Sequence, residues 1–379
     1  MKKNKKLLIG IGIVALIAIA SIGIYNNSKN TVGGGVIRIG AILPSSGATA
    51  ALGVPKQRAF DMAMEEWNAQ NPQTKIQMFY EDSKGNPKDG VAAFQKMVSD
   101  GSVPYCYVDL TTIVNSVIPL IDKNRVLTFA GSAEPGVSNA SQYLFRLFAG
   151  GDQEIDLMMA HLKENNIKSI FVLHTNELYG NNSYTFLEKK YKDMGGSVLG
   201  HEAYPMNNVD FKDSLAKAKG SHADRILLLG YGNEYSPLLR QAKEIGINPS
   251  QILCNLGGSN KSVIELPGEY KEGMFFVGPR FSFAMMNGNM SNEMRNFVDL
   301  YKKKYGELPD FRAAYAYDAI KILVKTVDSV TDRNVEAICA KILEVREYQG
   351  ASGAVSFLPN GEALTDLVIA HYSNGIMEL

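Results

Sequence analysis

From residue 36 onward, apolar positions switch repeatedly between two periods. Compact runs of six to eight residues, VIRIGAIL at 36–43, KIQMFYE at 75–81, VPYCYV at 103–108 and VLTFAG at 126–131, predict strands. Between them apolar residues recur at helical spacing: Phe60, Met64 and Trp67 within 54–70, and Val91, Phe94 and Val98 within 87–99. A further helix is predicted over 112–123. The order βαβαβαβ demands a mostly parallel sheet covered by helices on both faces.

A second series begins after YLFRLF at 143–148. Helix 153–165, strand 168–174, helix 178–194, strand 197–204, helix 211–219 and strand 224–230 follow in order. Helix 235–245 and a short strand at 251–254 precede the strand GMFFVG at 273–278. Three helical stretches come next, about 292–305, 312–330 and 335–345. The chain closes on VSFLP, a turn at Asn360-Gly361, and LTDLVIAHYS, which reads as a β-hairpin. Two α/β units in series are expected. The strand-ending loops of two facing sheets can line a cleft, the usual ligand position in open α/β architecture.

The pattern before residue 36 is of another kind. Lys2, Lys3, Lys5 and Lys6 precede the uncharged run Leu7 to Ile24, all of it apolar or small apart from Ser21. A cationic start followed by an apolar stretch is the signature of a secretory signal or an N-terminal membrane anchor. Residues 25–35 are polar, end in three glycines and read as a tether. Export is therefore expected, to the periplasm or the outer face of the cytoplasmic membrane, with membrane contact only through the first segment.

Composition sharpens this. The 379 residues exceed one ordinary domain. Basic and acidic residues both number 39, for net zero charge, but without the four leader lysines the balance is 35 against 39. No basic field is present to attract nucleic acid. Three dispersed cysteines, Cys106, Cys254 and Cys339, do not make a disulfide scaffold and read as buried thiols.

Tests for reaction chemistry return little. The five histidines do not pair at metal-ligand spacing, and no phosphate loop, dinucleotide fingerprint or GxSxG elbow occurs in the body of the chain. Neither cofactor, metal nor catalytic residue is expected. What remains is a set of polar, glycine-rich loops at strand ends: Pro44-Ser45-Ser46-Gly47, Asp109-Leu110-Thr111-Thr112 and Gly131-Ser132-Ala133-Glu134-Pro135. Each lies at or near a helix start, where free N–H groups and hydroxyls hold a carboxylate. Ordinary capping explains any one of them equally well. In the second series Tyr179-Gly180 and Tyr231-Gly232-Asn233-Glu234 occupy similar places, and Glu234 suits either an ammonium counter-charge or a residue favoured by the helix dipole.

Taken in order, these segments resemble the branched-chain amino-acid (leucine/isoleucine/valine-type) periplasmic substrate-binding proteins of ABC transporters. The resemblance runs from residue 36 to the end through IRIGAILPSSGATAALG, FDMAMEEWNAQ, YEDSKGNPKDGVAAFQKMVSDG, VLHTNELYG, LGYGNEYSPLLRQAKEIGI, AYAYDAIKIL and GAVSFLPNG. It implies a type I periplasmic-binding fold: two doubly wound parallel-sheet lobes joined by three crossovers, closing on a ligand. Lobe one is then expected at 36–148 and 280–350, and lobe two at 149–279 and 351–379. Carried over by position, Ser46, Thr111, Thr112, Gly131 and Ala133 surround the α-groups of an amino acid. Glu234 meets its ammonium, and Tyr179 and Phe211 are cleft aromatics. The implied role is capture of an amino acid or related small amine and delivery to the permease subunits of a transporter, with no catalysis. The alternative is a ligand-sensing subunit of a signalling complex.

Four positions depart from the family pattern. Ala133 stands where threonine is frequent, Phe129 where serine is, Leu52 where an aromatic residue is, and Asp109 brings a carboxylate where glycine is common in that loop. A lost hydroxyl and an added charge argue against a copy of leucine recognition.

Overall fold

The computed structural model describes residues 35–379. The cationic leader, the apolar run and the tether up to residue 34 lie outside the described residues. Among the described residues no helix is long and apolar enough to cross a membrane.

The first series forms β1 (Val36–Leu43), α1 (Ala50–Gln70), β2 (Lys75–Asp82), α2 (Pro87–Val98), β3 (Tyr105–Asp109), α3 (Thr111–Asn124), β4 (Leu127–Gly131) and the short β5 (Leu144–Phe145). Its five strands are parallel, in the order β2-β1-β3-β4-β5. Every residue of β3 and β4 is buried, as parallel strands sandwiched between helices must be.

The second series forms α4 (Gly151–Glu164), β6 (Ser169–Thr175), α5 (Leu178–Asp193), β7 (Ser197–Tyr204), α6 (Lys212–Gly220), β8 (Arg225–Leu229), α7 (Tyr235–Glu244), β9 (Ile252–Cys254), the single turn α8 (Lys261–Ile264) and β10 (Phe275–Pro279). Helices α9 (Arg280–Asn287), α10 (Asn292–Tyr305), α11 (Phe311–Ser329) and α12 (Val335–Ile342) follow. Local chemistry marks several starts: Asn86, Ser291, Asp310 and Asn334 each accept a backbone N–H of the first turn of α2, α10, α11 and α12.

Three features differ from the sequence expectation. Helix α1 begins at Ala50, four residues before the predicted 54, and carries Pro55 inside it. Helix α9 was not predicted at all; it follows β10 directly and ends on Gly288 at φ 75°. The closing hairpin is instead two structures. Strands β11 (Tyr348–Gly350), β12 (Gly353–Phe357) and β13 (Ala363–Leu364) form a small antiparallel sheet. Strand β14 (Leu367–Ser373) pairs antiparallel with β10, and its own hairpin partner is β15 (Ile376–Glu378). The second sheet therefore runs β15-β14-β10-β9-β8-β6-β7, parallel from β10 to β7 and antiparallel at the other edge.

Packing shows where the chain changes sides. Phe297, Tyr301, Ile320, Val324 and Ile338 from α10–α12 bury into the core of the first sheet, with α11 lying along α1. Val355, Phe357 and Ala363 join that same core, whereas Ala370, Tyr372 and Met377 bury against the second sheet. Leu367 packs against both sides, so the closing segment leaves the first core around it. Arg146 ties the passages together: it is fully buried, its Nε binds Glu362, and its Nη2 lies 2.8 Å from Asp152. Cys106, Cys254 and Cys339 are free and buried.

Candidate functional site

Open parallel sheets receive ligands outside the carboxyl ends of strands, where strand order reverses. That point lies between β1 and β3 in the first sheet and between β6 and β8 in the second. Loops leaving these strands share one cavity of about 60 Å³, several times the ~10–15 Å³ that a single water needs.

The first-sheet wall is built from four places. Leu52 and Lys56, one turn apart on α1, form one part, and Asp109, Leu110 and Thr111 at the β3–α3 junction form the next. Gly131 and Ala133 follow β4, and Phe148, Phe311 and Arg312 complete the wall. Leu110 has φ 72° and ψ 130°, a backbone state that costs a non-glycine residue about 1–3 kcal/mol. There its N–H donates to the Gly131 carbonyl at 3.1 Å. No side chain caps α3, so its first N–H groups remain available to a bound acceptor. Thr111 Oγ1 lies 2.9 Å from Ser132 Oγ at the same spot.

The wall is charged. Lys56 Nζ is 2.5 Å from Asp109 Oδ1, and both side chains are buried. Burial pushes the Asp109 carboxyl up and the Lys56 amine down, their mutual attraction opposes both shifts, and the Arg312 guanidinium is near enough to act on each. Asp109 Oδ2 and the Tyr107 hydroxyl find no hydrogen-bond partner among the described residues.

On the second-sheet side, Tyr179, Gly230, Tyr231, Asn255, Leu256 and Gly257 line the cavity. A buried network fixes them. Asn255 Nδ2 donates to the Tyr179 hydroxyl at 2.8 Å and to the Gly230 carbonyl at 2.7 Å. Tyr179 donates to Glu154 Oε2 at 3.3 Å, and Leu256 N–H donates to Glu154 Oε1. Burial raises the Glu154 carboxyl to about 7, against the lowering effect of those two hydrogen bonds. The Tyr231 ring stands 5.4 Å from that of Tyr179, and its hydroxyl donates to Glu177 at 3.1 Å.

Of the residues expected from the sequence, Thr111, Gly131, Ala133 and Tyr179 come together in this cavity. The other four do not line it. Ser46 is exposed and donates to Asp82 Oδ2 at 2.5 Å. Thr112 sits on the first turn of α3, its carbonyl accepting from Ser116 Oγ at 2.7 Å. Phe211 is buried just before α6, edge-on to Tyr204. Glu234 is buried one layer behind, accepting from Tyr231 N–H at 3.0 Å and from the Tyr204 hydroxyl at 3.4 Å. Its Oε1 presses on Gly230, where a Cβ would come within 2.4 Å of it.

Lys56, Phe148, Asn255, Leu256, Phe311 and Arg312 line the cavity without having been expected there. The one available signal was a lysine and an arginine set among residues on apolar helix faces. His174 and His201, unpaired in sequence, meet across β6 and β7 with nitrogens 3.1 Å apart, and neither lines the cavity.

With this geometry in hand the chain compares well with known proteins. A family model described as periplasmic binding protein matches residues 36–375, and the chain belongs to that family. The leucine-, isoleucine-, valine-, threonine- and alanine-binding protein of Pseudomonas aeruginosa is 24% identical over 354 residues, covering 92% of this chain and 91% of that protein. The leucine-binding protein LivK of Thermotoga maritima superposes with a TM-score of 0.78 at 23% identity, covering 90% of this chain and 97% of its own. LivJ of Streptococcus pneumoniae, a branched-chain amino acid transporter substrate-binding protein solved with isoleucine, gives 0.78 at 22% identity, with coverage of 91% and 98%. The α/β fold is that of the type I periplasmic binding proteins, and the family and these neighbours are solute-binding proteins rather than enzymes.

Proposed function

We propose that the chain is an extracytoplasmic solute-binding protein that captures an amino acid or related small amine between two lobes and delivers it to the permease of an ABC transporter. The observation that carries this reading is the cavity between the two sheets, lined from both by strand-end residues. Family membership implies a location outside the cytoplasm, which agrees with the leader expected from the sequence.

In this reading the ligand carboxylate sits on the uncapped start of α3, beside Thr111, Gly131 and Ala133. Its ammonium points to the second sheet, where Glu234 waits behind Gly230. Burial raises the Glu234 carboxyl, with the hydrogen bonds from its own backbone and from Tyr231 N–H opposing, so a nearby cation favours its ionised form. Tyr179 packs on the ligand from the same side. Lobe one is 36–148 with 280 to about 364, and lobe two is 149–279 with the remainder; closure of the two creates the surface that a permease recognises.

The test is calorimetry of the purified protein against the common amino acids and simple amines. Glu234→Gln and Thr111→Ala are each expected to weaken the bound ligand at least tenfold, and cells lacking the chain to lose uptake of it. Unchanged affinity in both variants would place the site elsewhere.

A further inference from the structure

The three charges on the first-sheet wall have no counterpart in a pocket meant for an aliphatic side chain. Burying a charge beside a hydrocarbon is unfavourable unless hydrogen bonds satisfy it. Lys56 and Asp109 satisfy one another through Nζ and Oδ1 only. Asp109 Oδ2 stays without a partner although the side chain is fully buried and lines the cavity. Arg312, 8% exposed, gives one N–H to Asp310 Oδ2 at 3.1 Å and makes no other side-chain hydrogen bond among the described residues. A guanidinium carries five donors. Asp109 therefore keeps an unpaired acceptor and Arg312 keeps unpaired donors, on two residues that line the same cavity.

That combination selects by exclusion. A carboxylate head would be attracted to Arg312 but repelled by Asp109. An ammonium or guanidinium head would pair with Asp109 but face Lys56 and Arg312. An aliphatic head would leave both open groups unpaired, a loss of about 1–3 kcal/mol for each. A neutral group with a donor and an acceptor on separate atoms satisfies both at once. Resting on the amino-acid reading above, we propose that this wall recognises the side-chain head of the ligand and that the head is a primary carboxamide, its N–H₂ on Asp109 Oδ2 and its oxygen on Arg312. Leu52 and Phe148 pack against the short methylene stem.

Calorimetry of the full-length protein decides it. The probes are glutamine and asparagine; leucine, isoleucine and valine; serine and threonine; glutamate and aspartate; lysine and arginine; and the simple amides acetamide and propionamide. Glutamine or asparagine is expected to bind at least tenfold more tightly than every other amino acid tested. Asp109→Asn, nearly isosteric, and Arg312→Leu are each expected to remove most of that preference, with folding checked by circular dichroism. If leucine, isoleucine, valine, serine or threonine binds as well as the amides, the carboxamide site is overturned while the amino-acid reading stands. If acetamide or propionamide binds and no amino acid does, the amino-acid reading fails and the carboxamide site survives. Absence of binding by any amide overturns the proposal, whatever the variants do.

Discussion

Gly131 has no room for a side chain. A Cβ there would lie 2.3 Å from Asp109 Oδ1 and 2.5 Å from the Tyr107 hydroxyl, both buried. Neither neighbour can swing away, because Asp109 is held by Lys56 and Tyr107 is packed against Phe60 with ring centroids 4.9 Å apart. Overpacking of this kind costs about 1–3 kcal/mol. Gly131→Ala is expected to lower stability by that amount, read as an earlier midpoint in urea at neutral pH; an unshifted midpoint would mean that the wall gives way without cost. Gly131, Thr111 and Ala133 were legible only through the family resemblance, since small and hydroxyl residues at strand ends also pick out Ser46 and Thr112, which do not line the cavity. Lys56 and Arg312 were not. A cation on an amphipathic helix ordinarily marks the solvated face, and only burial against other elements reverses that meaning, with Asp109 of β3 pairing Lys56 and Asp310, the cap of its own helix, pairing Arg312.

At the level of elements, the missed first turn of α1 had a chemical cause. Proline is tolerated in the first turn of a helix, where its missing N–H costs no bond, so a start at Val54 just before Pro55 is the local solution. Yet Gly53 meets the Pro44 carbonyl so closely that a Cβ would be 2.4 Å from it, and the turn is held against β1 from outside. Helix α4 shows the complementary case, a charged residue used to join elements. Glu154, in its first turn, accepts from Leu256 N–H and from Tyr179, linking α4, α5 and the loop after β9 behind the cavity. Its carboxyl is raised from 4.5 to about 7, chiefly by burial. The folded protein thus holds this proton more tightly than the unfolded chain. The stability it contributes is complete below about 4.5 and is lost as pH rises through about 7. Glu154→Gln keeps an acceptor for Leu256 but has no proton to lose. Relative to the variant, the wild type is expected to lose up to about 3 kcal/mol between those limits and to run parallel to it above pH 8. Urea unfolding at pH 5, 6, 7 and 8 measures the difference, and parallel curves throughout would show that Glu154 is already ionised in the folded state.

For the whole molecule, the alternating series of strands and helices was legible because local periodicity carries it, and the position of the cavity followed from where strand order reverses. The tail was legible only in part. VSFLP does pair antiparallel across the turn at Asn360-Gly361, with Ala363 and Leu364, but the rest of LTDLVIAHYS leaves that hairpin: β14 finds β10, which lies about 90 residues earlier in the chain. Only the exposed antiparallel side of β10 makes that choice. The same long-range logic governs how the two sheets meet. Glu134, in the loop after β4, accepts from Asn182 of α5 at 2.6 Å and also from Asn115 of α3. The first of these bonds joins the two sides of the cavity and forms only when they are close. Asn182→Asp places a second carboxylate against Glu134 with little change in size, so repulsion acts on the closed arrangement and not on either sheet alone. The variant is therefore expected to unfold at nearly the wild-type temperature while binding its ligand about tenfold more weakly, a difference of about 1.4 kcal/mol. Small-angle scattering without ligand should give it the larger radius of gyration, and raised salt should narrow the gap by screening the pair. Equal affinity and equal radius would show that this contact accompanies closure without stabilising it.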